Sequence, residues 1–123
     1  MHALGSSYLI RQSPGGEQFA GASVRIRRRH ADVAIREISL TQYRSGESID
    51  DDGAFLREYA TKAIDKYEVD HGDLSEWDIS VYDFAYHPVD TSPRTTCVAV
   101  YNALVSAFSA WAITFSAPTE SRG

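Results

Sequence analysis

With Cys97 the only cysteine among 123 residues, no internal disulfide framework can form and a reducing compartment is the default expectation. The first twenty residues lack the basic start and apolar run of a secretory signal. Together these two absences lead to an expected cytoplasmic location. Basic charge is also in short supply: 12 Lys and Arg face 17 Asp and Glu, for a net charge of −5. Tight binding of duplex DNA depends on counterion release at a basic surface, so duplex DNA is not an expected partner. An acidic protein can instead imitate nucleic acid. No GxxxxGK[ST] loop is present, which removes the usual backbone-and-lysine cradle for a nucleotide. Neither a metal nor another cofactor is expected. In a twelve-residue calcium frame the run Asp50-Asp51-Asp52 would place Ser48 at the first ligand position and Tyr59 where a bidentate carboxylate belongs.

The chain has the size and composition of one folded domain, with 43% hydrophobic and 24% charged residues. Residues 1–20 are rich in turn formers (Ser6, Ser7, Pro14, Gly15, Gly16) and read as a partly flexible segment. Residues 21–115 form the expected domain, and 116–123 read as a polar tail. No charged residue lies between Arg94 and Glu120, and Cys97 to Phe115 is long enough to cross a hydrocarbon core of about 30 Å. Asn102, Ser106, Ser109, Thr114 and five alanines dilute that stretch, and no Lys or Arg cluster flanks it, so no membrane is expected.

Alternation from Ala22 to His30 predicts a strand with Val24 and Ile26 on one face and Arg25, Arg27 and Arg29 on the other. A second β-rich run covers Ala31 to Leu40, with a bulge near Glu37. The spacing of Phe55, Leu56, Tyr59, Ala60, Ala63, Ile64 and Tyr67 predicts an amphipathic helix, with Asp50 to Asp52 at its positive end. Trp77, Ile79 and Val81 alternate as a third strand whose phase flips near Asp83, again the mark of a bulge. Ser92 is a suitable N-cap and Pro93 a suitable first residue for a helix to about Thr114. On that helix Cys97, Tyr101, Leu104, Phe108, Trp111 and Phe115 form one apolar face. Ala99, Ala103, Ala107 and Ala110 form a small-residue face suited to close packing. The expected class is α+β, a small mixed sheet with two helices on one face.

Three groups of residues could carry chemistry or binding. The comb Arg25, Arg27 and Arg29 spans about 13 Å and can meet successive phosphates, although such charges also keep an outer sheet face soluble. Tyr86-His87-Pro88-Val89-Asp90-Thr91-Ser92 ends a strand, turns and caps a helix. Within it Asp90 can orient His87 as a base, or both can serve the loop alone. Cys97, on an apolar helix face, reads as a small hydrophobe, and His71 as a surface residue.

The stretch from Tyr86 to Ser92, followed after Pro93 and Arg94 by TTCVAVYNALVSAF, resembles domain IV of elongation factor G. There a strand leads into Tyr-His-x-Val-Asp-Ser-Ser and an alanine-rich helix. Upstream, residues 54–67, 68–76 and 77–84 are similar to that family's helix, glycine-containing connection and strand. Pro93 stands where the family places an acid. The resemblance implies a left-handed β-α-β crossover, shared with a small-subunit ribosomal protein. It also implies a noncatalytic role in which loop tips reach a ribosome, an RNA or a translation factor. The binding residues would then be His87, Tyr86 and Asp90, with Tyr43-Arg44-Ser45-Gly46 standing for the family's Arg-Gly-Ser-Gly-like loop. Two alternatives come from other classes: a small enzyme or ligand-binding protein with a site near His87 and Asp90, and a homodimeric interaction or immunity module using the alanine face.

Overall fold

The computed structural model describes residues 1–13 and 16–120, and the side chains of 1–9 and 19–115. Its elements run β1 (Ala3–Ser13), β2 (Gly16–Arg28), β3 (Arg36–Ile38), α1 (Phe55–His71), β4 (Trp77–Ala85) and α2 (Pro93–Glu120), with a single 3-10 turn at Asp51–Gly53 before α1. The sheet order is β1-β2-β4-β3. β1 and β2 pair antiparallel, as do β2 and β4, whereas β3 lies parallel to β4. The expected α+β class, a mixed sheet with two helices, is what the chain adopts.

One core joins the inner sheet face (Ala22, Val24, Ile26, Ile79, Val81) to both helices, through Leu56, Ala60, Ala63 and Ile64 of α1 and Val100, Ala103, Leu104 and Ala107 of α2. At roughly 1.5–3 kcal/mol for each fully buried large aliphatic side chain, this seam is the main source of stability. α2 presents its small-residue face to the sheet, and β1 meets it with Gly5. Its aromatic face lies to one side, where Trp77 of β4 stands between Phe108 and Trp111 at centroid distances of 4.9 and 4.8 Å, and Trp111 meets Phe115 at 4.2 Å. By length and composition Pro93–Phe115 could cross a membrane; its Ala99, Val100, Ala103, Leu104 and Ala107 are buried in the core.

Four expectations need correction. Residues 3–13, read as part of a partly flexible, turn-rich segment, form β1, and β2 begins at Gly16 rather than Ala22; Pro14 and Gly15 lie outside the described residues. The second β-rich run shortens to Arg36–Ile38, with the side chains of Val33 and Ile35 exposed. Glu37 sits in regular register, without the expected bulge. Finally, α2 continues through Glu120 instead of ending near Thr114, and the rest of the expected tail, 121–123, lies outside the described residues. The bulge near Asp83 is present: Asp83 has φ 51°, and between the pairs Gly21↔Ala85 and Ser23↔Tyr82 β4 carries the longer segment. It turns Phe84 and Tyr86 into the core.

Candidate functional site

The C-terminal end of β4 gathers three segments. Tyr43 donates its amide to Phe84, Phe84 donates to Thr41, and the Asp83 amide reaches the Thr41 hydroxyl at 3.1 Å. Gln42 to Glu47 is thereby a tight turn pinned beside β4, closed by Gln42 and Gly46 amides at 2.8 and 3.0 Å from their acceptors Glu47 and Gln42. On the other side the Phe19 amide of β2 donates to the Asp90 carbonyl at 3.3 Å. One end of the sheet therefore carries both the Tyr43-Arg44-Ser45-Gly46 turn and the His87 turn.

The His87 turn is held by its backbone. Buried Thr91 accepts the His87 amide at 2.9 Å through its hydroxyl, which in turn donates to the Phe19 carbonyl. Its own amide returns to the His87 carbonyl at 2.9 Å. Ser92 caps α2 reciprocally with Thr95: Ser92 Oγ accepts the Thr95 amide at 3.1 Å, and Thr95 Oγ1 accepts the Ser92 amide at 2.9 Å. Replacing Thr91 with valine keeps the shape and removes both hydroxyl bonds. It is expected to cost about 2 kcal/mol, measured by urea unfolding.

This rigid turn displays its histidine. His87 is 55% exposed, with Nδ1 at 3.4 Å from Asp90 Oδ2, and Asp90 is 20% exposed. The Val89 amide also points at Nδ1, at 3.3 Å, so that nitrogen can accept from Val89 or donate to Asp90 but not both. A carboxylate 3.4 Å from an exposed imidazole is a weak orienting contact. Tyr86, expected with these residues, is instead buried, its ring edge-on to Phe55 at 6.1 Å. Burial raises its pKa, and Asp50 and Asp52 push the same way, keeping the phenol neutral.

Arg44 stands on the neighbouring turn with φ 73°, a left-handed conformation uncommon for a residue with a Cβ. Its guanidinium lies 4.9 Å from the Tyr43 ring centroid, and Tyr43 packs on Tyr8 at 4.4 Å. Tyr8, Phe19, Tyr43, Arg44 and Ala85 line a groove of about 360 Å3. Tyr8 and Phe19 belong to the segment read as partly flexible, so sequence reasoning missed them. The usable signal was Tyr8 facing Gly21 in an antiparallel pair, an aromatic covering a glycine. The Tyr8 hydroxyl bonds Ser23 at 2.8 Å; burial is the larger influence and raises its pKa, while that bond works against it.

The arginine comb lies farther along β2, toward its C-terminal end, and is largely spent on internal pairing. Arg27 contacts buried Asp78 at 3.2 Å, and Arg29 pairs with Glu76 at 3.2 Å and donates to the Asp32 carbonyl at 2.6 Å. Arg25 is exposed on the outer face. His87, Asp90 and Arg44 are thus brought to one end, while Arg25, Arg27 and Arg29 are held apart from them. Beside Tyr86 and Pro88 a second hollow of about 150 Å3 is below the usual size of small-molecule sites. Among the described residues no cluster of His, Cys, Asp and Glu could hold a metal.

These features define the class: a small α+β domain with two displayed turns at one end. No protein-family model and no curated protein matches the chain. Among solved structures, a Thermus thermophilus protein, ttk003000868, is similar at 20% identity and a TM-score of 0.61, over 89% of this chain and 16% of that one. The chain therefore spans about a sixth of that protein's length, and the likeness is one of fold.

Proposed function

We propose that this is a noncatalytic binding domain of the elongation factor G domain IV type, which docks the end carrying His87 and Arg44 onto a ribosome or a structured RNA in the cytoplasm. The observation that carries the proposal is the outward display of His87 on a rigidly bonded turn, beside a second turn that holds Arg44 over an aromatic groove. An exposed guanidinium next to two packed tyrosine rings suits phosphate and unpaired bases together. Strain at a non-glycine residue is the kind of cost found at contact sites. The left-handed sense of β3-α1-β4 belongs to this proposal, as does the absence of duplex DNA and membrane from its partners. The similar fold occupying a sixth of a longer Thermus protein suits a module that works beside other domains.

Cosedimentation with purified ribosomes is the test. Pelleting at low salt, weakening as salt rises, is the expected result. Arg44→Gly is expected to raise folding stability by up to about 1 kcal/mol, because it relieves the left-handed strain, while lowering pelleting several-fold. Adding His87→Ala should lower pelleting further with little change in stability. Protein that stays in the free fraction at low salt would remove the proposal.

A further inference from the structure

We infer that the groove between α1 and α2, which shares no lining residue with either displayed turn, is a binding site for a small amphiphilic carboxylate. Its volume is about 340 Å3, inside the usual range for small-molecule sites, and far less than a docked helix needs. Ala63, Cys97 and Val98 make an apolar floor; Lys62, Lys66 and Arg94 stand around it, with Tyr101 and Asn102. No acid is among these lining residues, in a chain whose acids outnumber its bases by 17 to 12.

The groove exists because the residues facing each other there are small. Ala63 of α1 opposes Cys97 of α2, whose thiol points to the Tyr59 carbonyl at 3.3 Å. Val98, one position on, is left 45% exposed. A hydrocarbon body laid on this floor gains the burial that the helices do not provide for each other. The cations are available to it. Lys62 and Lys66 pair with exposed acids one helical turn away, Glu58 at 3.6 Å and Asp70 at 3.3 Å, and lie 5.2 and 5.9 Å from the Tyr59 and Tyr101 ring centroids; such exposed ion pairs are worth little to the free protein. Exchanging one of them for a ligand carboxylate therefore costs little, and the same carboxylate can reach a second cation across the groove. The ligand chemistry follows: one anionic head and a short apolar body.

The probes are decanoate, decanol and acetate, titrated into the full chain and followed by amide chemical shifts. Decanoate is expected to saturate with the largest shifts at Ala63, Val98 and Asn102, decanol to bind more weakly, and acetate to leave those amides unmoved. The double variant Lys62→Gln, Lys66→Gln alters two exposed side chains that the core does not use, and should weaken decanoate about tenfold without changing decanol or ribosome pelleting. The inference is overturned by non-saturating shifts, by shifts centred on Ile113 and Phe115 at the far end of α2, by equal affinity for decanoate and decanol, or by a double variant that binds decanoate as the natural sequence does.

Discussion

Gly5→Ala is expected to lower stability by about 4 kcal/mol and the melting temperature by on the order of 20 °C, because there is no space for a methyl group. A Cβ at Gly5 would lie 2.5 Å from the Ala103 carbonyl oxygen and 2.8 Å from the Ala107 Cα, with the Ala107 nitrogen closer still. All three are backbone atoms of α2, so no rotamer change relieves the contact. Either β1 leaves the edge of the sheet or α2 lifts away, and each route opens the seam of Ala22, Val24, Val100, Ala103 and Ala107. Gly46→Ala is the control: φ is +74° but nothing lies within 4 Å, so only the strain of about 1 kcal/mol is expected. Thermal unfolding followed by circular dichroism separates the two. A Gly5→Ala melting point within a few degrees of the parent would mean that α2 does not rest on β1.

Asp78→Ala should have the next largest effect, a loss of about 3 kcal/mol in urea unfolding at neutral pH. Asp78 is a buried acid, its side chain 6% exposed, and it joins three parts of the sheet. Oδ1 accepts the Ile35 amide at 2.8 Å, Oδ2 accepts from Arg27 Nε at 3.2 Å, and the next residue, Ile79, donates its amide to Ile35 at 2.9 Å. β3 has only three residues, so these bonds, together with Arg36 donating to the Leu74 and Trp77 carbonyls, hold it beside β4. Alanine leaves the Ile35 amide without its acceptor and Arg27 without its partner. The Ile35 amide holds the Asp78 carboxyl below the ordinary aspartate value, Arg27 adds to this, and burial opposes both. The folded pKa is depressed, so the stabilisation is complete above the unfolded value of about 3.9 and is lost as pH falls through the folded one. The gap between parent and variant should stay level down to about pH 5 and narrow below about pH 4. A gap unchanged at acid pH would mean that the carboxylate form of Asp78 does not hold β3.

Elements whose signal is local were legible. The stripe from Phe55 to Tyr67 is α1, and Ser92-Pro93 opens α2 through a bond pattern that needs only neighbouring residues. The phase flip at Asp83 could be read because a bulge moves every later side chain to the other face. β1 was not legible for a physical reason. Its inward residues, Ala3, Gly5 and Ser7, are small because α2 lies directly on them, while larger Leu4 and Tyr8 face outward. That inverts the alternation by which a strand is recognised.

The candidate site divides in the same way. His87, Asp90 and Arg44 could be named from the chain, since turns and caps declare themselves locally. That Tyr8 and Phe19 share a groove with Arg44, that Tyr86 faces inward, and that Asp78 occupies Arg27 were settled by strands many residues apart coming into register.

What the sequence determined alone was the class of fold, the two helices and the position of the β4 bulge, all set by periodicities of about 2 and 3.6 within a few residues. Only the tertiary structure decided which face of α2 is inside, which acids pair with Arg27 and Arg29 and which turns stand together. Those outcomes depend on contacts between residues far apart in the chain, for which no local period exists.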